Sequence, residues 1–232
     1  MAKRKGSKAD QRVQKVRWMI GGFFAVVIAL VALYGLLYST GATEGEFVEG
    51  THFEVIETDH RRRAGDAVEV LEFFSYGCVH CKNFDPLIEE WHAEQDPARV
   101  EFRRQPVAFS PIWQLLGRTY ITLESMDALD ANHDRIFRAV HDQGKQFLSA
   151  EMMAEFVDGN GVSSEEFLRT FNSPAVRTQA ARMEQLTAEY QVRSVPTIVV
   201  AGRYQINMGI GRKVALRVVD HLVTEVLNET SP

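Results

Sequence analysis

The only two cysteines of the chain stand in one four-residue segment, Cys78-Val79-His80-Cys81. The apolar run of residues 68–74 precedes them and predicts a buried strand, and apolar residues at helical spacing follow them. This order places the first sulfur at the N-terminus of a helix, where unpaired backbone N–H groups and the helix dipole stabilise an anion. Because a thiolate is the nucleophile of disulfide exchange, the segment indicates redox chemistry.

The two cysteines have different expected roles. A lowered pKa of Cys78 would raise its reactive fraction, and a protonated His80 would add positive charge close to the same sulfur. Cys81, one helical turn further on, is placed to attack a mixed disulfide and release the substrate. A stabilised Cys78 thiolate favours the reduced protein, so the oxidised form would be a strong electron acceptor.

Two plainer explanations of the cysteine pair are a zinc site and a structural staple. Zinc needs a second Cys or Cys/His pair, and the other histidines are not paired at ligand spacing. A disulfide across two intervening residues closes too small a loop to constrain the unfolded chain much. We expect no metal and no cofactor, and the other histidines are expected to be solvated helix or loop residues. These are His52, His60, His92, His133, His141 and His221.

The dipeptide Val195-Pro196 directly precedes the apolar run of residues 197–200, which predicts a strand. Proline cannot continue a sheet ladder, so it should occupy the first position of that strand. Two interpretations stay open. The proline is an ordinary trans residue, or it forms a cis peptide that faces the cysteine loop and leaves the Val195 backbone free to pair with a substrate segment.

Glu72 lies inside the apolar run before the cysteines, where a carboxylate is costly to bury without a partner. It is either an edge-strand residue that faces water, or a buried acid below the disulfide that shuttles protons or tunes the thiols. The pattern alone does not decide between them.

The order of predicted elements is strand–helix–strand, a helical insertion over about residues 110–190, then strand–strand–helix. The second strand lies at residues 99–104 and pairs in parallel with the first, since a helix connects them. Ser163-x-x-Glu166 is a capping box that opens one of the inserted helices. This is the plan of an α/β, thioredoxin-like fold with a helical insertion subdomain.

The first 50 residues predict a membrane anchor. Residues 1–17 are basic, residues 18–38 carry no charge and are long enough to span the bilayer, and residues 39–50 are a polar linker before a domain of residues 51–228. By the positive-inside rule the N-terminus is cytoplasmic and the domain is exported. A cleaved signal peptide is the alternative, but the apolar run exceeds the 7–15 residues usual there.

The net charge of −5 argues against a nucleic-acid partner, because phosphate binding needs a concentrated basic face. The chain can bury one core of ordinary domain size.

Four separated blocks resemble the DsbA family of periplasmic thiol:disulfide interchange proteins over roughly residues 50–228. They are residues 71–75, 78–81, 192–196 and 202–205. The resemblance implies that Cys78 is an exposed nucleophile, Cys81 a buried resolving thiol and Pro196 a cis-proline. It implies that His80 stabilises the thiolate, and that Glu72 is the family's buried acid with a basic partner near Arg104.

The resemblance also implies oxidation of exported, cysteine-containing proteins, with reoxidation by a DsbB-like, quinone-linked membrane oxidase. We expect a monomer, held at the inner membrane by the predicted anchor. Val79 departs from the proline usual in the best-known members, and the membrane anchor departs from the usual cleaved signal. The alternatives are a dedicated reductase or isomerase, for example in cytochrome c maturation, and a non-enzymatic membrane-tethered chaperone.

Overall fold

The computed structural model describes residues 8–39, 47–58 and 66–229. Its two compact units are Met1–Glu46 and Phe47–Pro232. The first unit contains helix α1, Lys8–Ser39.

The predicted transmembrane segment, residues 18–38, lies within α1. Over the part of the chain that the structure describes, no helix is long and apolar enough to cross a membrane, so the predicted anchor gains no support here. The described side chains of this helix are those of residues 17–33, and they are exposed. The side chains of residues 34–38 and most of the predicted linker lie outside the described residues.

The second unit is built on a five-stranded sheet with the strand order β1-β5-β4-β2-β3. The interior strand β2 pairs in parallel with β3, as predicted, and in antiparallel fashion with β4. Strands β4 and β5 form an antiparallel hairpin, and β5 also pairs with β1, a short strand that was not predicted. The strands are β1 Phe53–Val55, β2 Val68–Phe74, β3 Val100–Pro106, β4 Thr197–Val200 and β5 Tyr204–Ile206.

Helix α2 connects β2 to β3, five helices form the insertion between β3 and β4, and α8 follows β5. The helices are α2 Val79–Ala93, α3 Pro111–Glu124, α4 Leu129–His141, α5 Ala150–Val157, α6 Ser164–Phe171, α7 Pro174–Glu189 and α8 Arg212–Glu229. A single 3-10 turn, Met208–Ile210, leads into α8. The predicted helical insertion is therefore confirmed.

Four inserted helices begin at a serine whose hydroxyl accepts a hydrogen bond from a backbone N–H of the first turn. These are Ser110, Ser149, Ser163 and Ser173. The predicted capping box is present, since Glu166 also accepts from the Ser163 N–H. Each such cap contributes about 1 kcal/mol to stability and fixes where the helix starts.

Alternate residues of β2 enter different apolar clusters, because successive side chains of a strand point to opposite faces. Val68 and Val70 pack with residues of α2 and α8. Leu71 and Phe73 pack on the other face with Tyr190. Glu72 is in phase with Val68 and Val70, so its carboxylate is on the face that α2 covers.

Candidate active site

Cys78 is the N-cap residue of α2 in an extended conformation, and its sulfur accepts a hydrogen bond from the Cys81 N–H at 3.3 Å. Strand β2 ends four residues earlier, at Phe74, so strand and helix together fix the position of this sulfur. Both cysteines are free thiols here. The predicted placement of the first sulfur at a helix N-terminus is confirmed.

The surroundings shift the acidities of the two thiols in opposite directions. A hydrogen bond from the Cys81 thiol, joined by the backbone N–H groups of Cys81 and His80 and by the His80 charge, outweighs burial and lowers the pKa of Cys78 to about 6. Burial, together with its hydrogen bond to Cys78, raises the pKa of Cys81. At neutral pH the pair therefore holds one thiolate, on Cys78, and one proton, on Cys81.

The expectation that Cys78 is an exposed nucleophile is wrong in degree. Its residue exposure is 7 %, against 1 % for Cys81, because it packs into the apolar cluster between the cysteine loop and the helical insertion. The intervening Val79 is 48 % exposed and His80 is also exposed. These two side chains are therefore more exposed than the Cys78 sulfur that they follow.

The Val195-Pro196 peptide bond is cis, so the interpretation as an ordinary trans proline is wrong. The Val195 carbonyl oxygen lies 3.4 Å from the Cys78 sulfur. The proline loop therefore faces the cysteine loop, across 117 residues of sequence.

Glu72 is 1 % exposed on an interior strand of the sheet, so the edge-strand interpretation is wrong. It lies opposite Arg104 in the parallel register of β2 and β3, and the Arg104 Nε donates to its Oε2 at 3.1 Å. Burial raises the pKa of Glu72 to about 7, although Arg104 acts in the opposite direction. The basic partner expected near Arg104 is therefore Arg104 itself.

Arg104 faces two further carboxylates, both on α2. It contacts Asp85 at 2.9 Å and Glu89 at 2.6 Å. Sequence reasoning missed Asp85, although a position four residues after Cys81 lies one helical turn below it. That spacing was the signal available.

His133 was expected to be solvated, and this is wrong. Its side chain is 13 % exposed, its Nε2 lies 3.0 Å from an Asp85 oxygen, and its Nδ1 lies 2.8 Å from the Tyr76 hydroxyl. No local pattern in the sequence indicates this position, because its partners come from elements 48 and 57 residues away.

Within the described residues, no three His, Cys, Asp or Glu side chains cluster closely enough to hold a metal ion.

The sheet with its helical insertion, together with a thiolate and a thiol one turn apart, defines the class: a thiol:disulfide oxidoreductase built on the thioredoxin fold. Residues 113–222 match the model of the DSBA-like thioredoxin domain. The DsbA of Pseudomonas aeruginosa, a thiol:disulfide interchange protein, is 35 % identical over 199 residues, covering 85 % of this chain and 92 % of the relative. That of Azotobacter vinelandii is 38 % identical over 160 residues, covering 68 % and 74 %.

Solved structures agree with this result. The crystal structure of Pseudomonas aeruginosa DsbA is similar with a TM-score of 0.72 at 36 % identity, over 78 % of this chain and 95 % of the other. The DsbA oxidoreductase of Xylella fastidiosa gives a TM-score of 0.71 at 30 % identity, over 77 % and 96 %. The chain belongs to the DsbA family of thiol:disulfide interchange proteins, and it is an oxidoreductase that introduces disulfide bonds.

Proposed function

We propose that the protein oxidises exported proteins through a mixed disulfide at Cys78. The observation that carries this proposal is the opposite shift of the two thiol acidities, because a stabilised Cys78 thiolate is a good leaving group. An oxidised pair that releases such a thiolate accepts electrons readily. The direction of transfer, from substrate dithiol to protein disulfide, follows from this asymmetry.

The reaction proceeds in two exchange steps. A substrate thiolate attacks the Cys78 sulfur of the Cys78–Cys81 disulfide, forms the mixed disulfide and expels Cys81, which takes up a proton. The second substrate thiolate then attacks the substrate sulfur that is bonded to Cys78, and this expels the Cys78 thiolate. Two electrons have passed to the protein, and the substrate carries a new disulfide. When Cys81 attacks first, the substrate returns unchanged.

We assign support roles around this pair. Glu72 is the acid that serves Cys81, since its pKa of about 7 lets it exchange a proton near neutral pH and its charge helps to keep Cys81 protonated. Arg104 anchors that carboxylate. His80 stabilises the thiolate, exposed Val79 contacts the substrate, and the loop at Val195 and Pro196 offers its backbone to the substrate chain.

Trapping the intermediate tests the roles of the cysteines. We expect Cys81→Ala to retain a peptide from a model disulfide as an adduct, visible by mass spectrometry after acid quenching, and Cys78→Ala to form none. Equal adducts on both variants would refute the assignment of the two cysteines.

The reduction potential of the Cys78–Cys81 pair, measured at equilibrium with a glutathione buffer, tests the direction of transfer. A potential well above that of the glutathione couple is expected for an oxidase. A potential near that of thioredoxin would instead indicate a reductase.

We further propose that a DsbB-like, quinone-linked membrane oxidase renews the disulfide, in keeping with the family. Membranes that contain quinone should reoxidise the reduced protein, and membranes stripped of quinone should not. Reoxidation that is independent of quinone would contradict this partner.

The uncharged stretch of residues 18–38 after a basic segment is the basis for a third proposal, an uncleaved anchor that holds a monomer at the periplasmic face of the inner membrane. We expect the full-length mass and retention in membranes after carbonate extraction. A shortened chain in the periplasmic fraction would mean that the segment is a cleaved signal.

A further inference from the structure

His133 connects the helical insertion to the acid beneath the cysteines. It lies on α4, and its two ring nitrogens contact groups from two other elements. One is the Tyr76 hydroxyl, in the loop before Cys78, at 2.8 Å, and the other is the Asp85 carboxylate on α2 at 3.0 Å. With the tyrosine as donor to Nδ1, Nε2 carries the proton and donates to Asp85.

The chain of contacts continues to Glu72 without a gap. The Asp85 oxygen that contacts His133 also accepts from the Arg104 Nη2 at 2.9 Å, and the Arg104 Nε donates to Glu72 at 3.1 Å. The side chains of His133, Asp85 and Arg104 are 13 %, 15 % and 11 % exposed, so water competes little for these hydrogen bonds.

Apolar rings enclose the imidazole on its remaining sides. The ring centroids of Phe137, Phe74 and Tyr120 lie 5.1, 5.8 and 6.2 Å from that of His133. Packing of this kind holds the ring in one orientation, so both nitrogens keep their partners. His133 is therefore built into the network rather than placed at its edge.

We propose that His133 is a positioning residue for Glu72: it holds the Asp85 carboxylate in place, and so fixes how Arg104 divides its donors between Asp85 and Glu72. The inference rests on the proposed role of Glu72 as the acid that serves Cys81. It adds that the helical insertion, and not only the thioredoxin core, sets the state of this acid.

The charges around the network give the direction of the effect. Glu72 is faced by Arg104 from β3, by Asp85 and Glu89 from α2, and by Cys81 and Tyr120 from α2 and α3. Burial acts to raise the pKa of Asp85, but the hydrogen bond from His133, together with Arg104, lowers it. Without the His133 donor, the Asp85 carboxylate depends on Arg104 alone and draws it away from Glu72. Glu72 then keeps its proton to higher pH.

Two substitutions separate the two contacts of the ring. The amide of His133→Asn lies near the former Nδ1, so it can accept from Tyr76 but cannot reach Asp85. The amide of His133→Gln extends to the former Nε2, so it can still donate to Asp85. The two variants are matched in polarity and each loses one contact.

The test is the titration of the Glu72 carboxyl carbon by NMR in the full chain labelled with 13C-glutamate, with Glu72→Gln used for assignment. We expect His133→Asn to raise the midpoint by about half a pH unit or more and His133→Gln to leave it nearly unchanged. Thermal unfolding of both variants serves as the control for a merely structural role. Equal midpoint changes in both variants, or none in His133→Asn, would overturn the proposal.

This titration needs no substrate, so its result stands apart from that of the adduct experiment. A protein that forms no adduct at Cys78 but shows the expected midpoints would refute the proposed function alone.

Discussion

The hydrogen bond between the two thiols explains why residues one turn apart have opposite acidities. The Cys81 thiol donates a hydrogen bond to the Cys78 sulfur. This bond stabilises the Cys78 thiolate and raises the pKa of Cys81, because Cys81 must keep its proton to donate it. The backbone N–H of Cys81 adds to the same effect, because it points at the Cys78 sulfur from the first turn of α2. One helix terminus thus produces both the nucleophile and the protected thiol.

His80 contributes its charge to this asymmetry, so its removal should be measurable. We expect His80→Gln to raise the pKa of Cys78 above about 6, because the positive charge near the sulfur is lost while the backbone donors remain. Absorbance of the thiolate near 240 nm, followed from pH 3 to 9, reports the midpoint. His92→Gln is the matched control, since His92 lies in the last turn of the same helix. An unchanged midpoint in His80→Gln would show that the Cys81 thiol and the backbone donors lower the pKa of Cys78 without the His80 charge.

Glu72 should impose a pH dependence on stability. Its pKa is about 7 in the folded protein against an ordinary value of 4.5, so the folded state binds the proton more tightly. The resulting stabilisation is complete below about pH 4.5 and is lost as the pH rises through 7. Glu72→Gln has no such proton to lose. The free energy of unfolding of the variant minus that of the unmodified protein should therefore be about 2–3 kcal/mol larger at pH 8 than at pH 5.

Urea unfolding of both reduced proteins at each pH measures this difference, in which the Cys78 contribution cancels. Glu89→Gln is the control, because that side chain also pairs with Arg104 but is 49 % exposed. A relative stability of Glu72→Gln that does not depend on pH would mean that Glu72 is ionised throughout this range.

The contact between the cysteine loop and α3 depends on a glycine. A Cβ at Gly77 would overlap the indole of Trp113, with the ring Cδ1 only 2.8 Å away. Trp113 cannot easily move, since its ring stacks on Phe109 with centroids 5.6 Å apart and its backbone lies in the first turn of α3. We expect Gly77→Ala to destabilise the protein by about 1–3 kcal/mol through overpacking.

A double-mutant cycle with Trp113→Ala isolates this contact. If the indole is the cause, Gly77→Ala should cost much less in the Trp113→Ala background, as measured by denaturant unfolding. An equal cost in both backgrounds would assign the effect to the backbone of the loop.

The elements that sequence predicted well are those with a strong local signal. Strand β2 was predicted residue by residue because it is a short apolar run with a turn on each side, and α6 because its capping box is local. Strand β1 has only three residues, which carry no periodicity, and its pairing with β5 is a tertiary contact. The role of His133 depends in the same way on partners from distant elements.

Taken as a whole, the second unit places its polar network where α2, the sheet and the helical insertion meet. The carboxylates of Glu72, Asp85 and Glu89 surround a single guanidinium, with the cysteine pair one turn above on α2. A buried group of this kind is costly unless every member is satisfied. Its members come from β2, α2, β3 and α4. A change in how the insertion contacts the sheet should therefore change the hydrogen bonds of the carboxylates that lie beneath the cysteine pair.

The thiolate should also make the reduced protein more stable than the oxidised protein in a way that depends on pH. The pKa of Cys78 is about 6 when folded against an ordinary value of 9, so the folded dithiol form releases this proton more readily than the unfolded chain. The stabilisation is complete above about pH 9 and is lost as the pH falls through 6. The disulfide form has no such thiol.

We therefore expect the difference in free energy of unfolding, dithiol minus disulfide, to grow from pH 6 to 9 by up to about 1.4 kcal/mol per pH unit. Urea unfolding of the two forms across this range measures it, and the constraint that the disulfide places on the unfolded chain adds only a constant. A difference that is flat with pH would remove the physical basis for an oxidase. A positive difference that grows as expected means that the free energy of folding favours transfer of electrons from substrate thiols into the Cys78–Cys81 pair, since the dithiol form is then the more stable form.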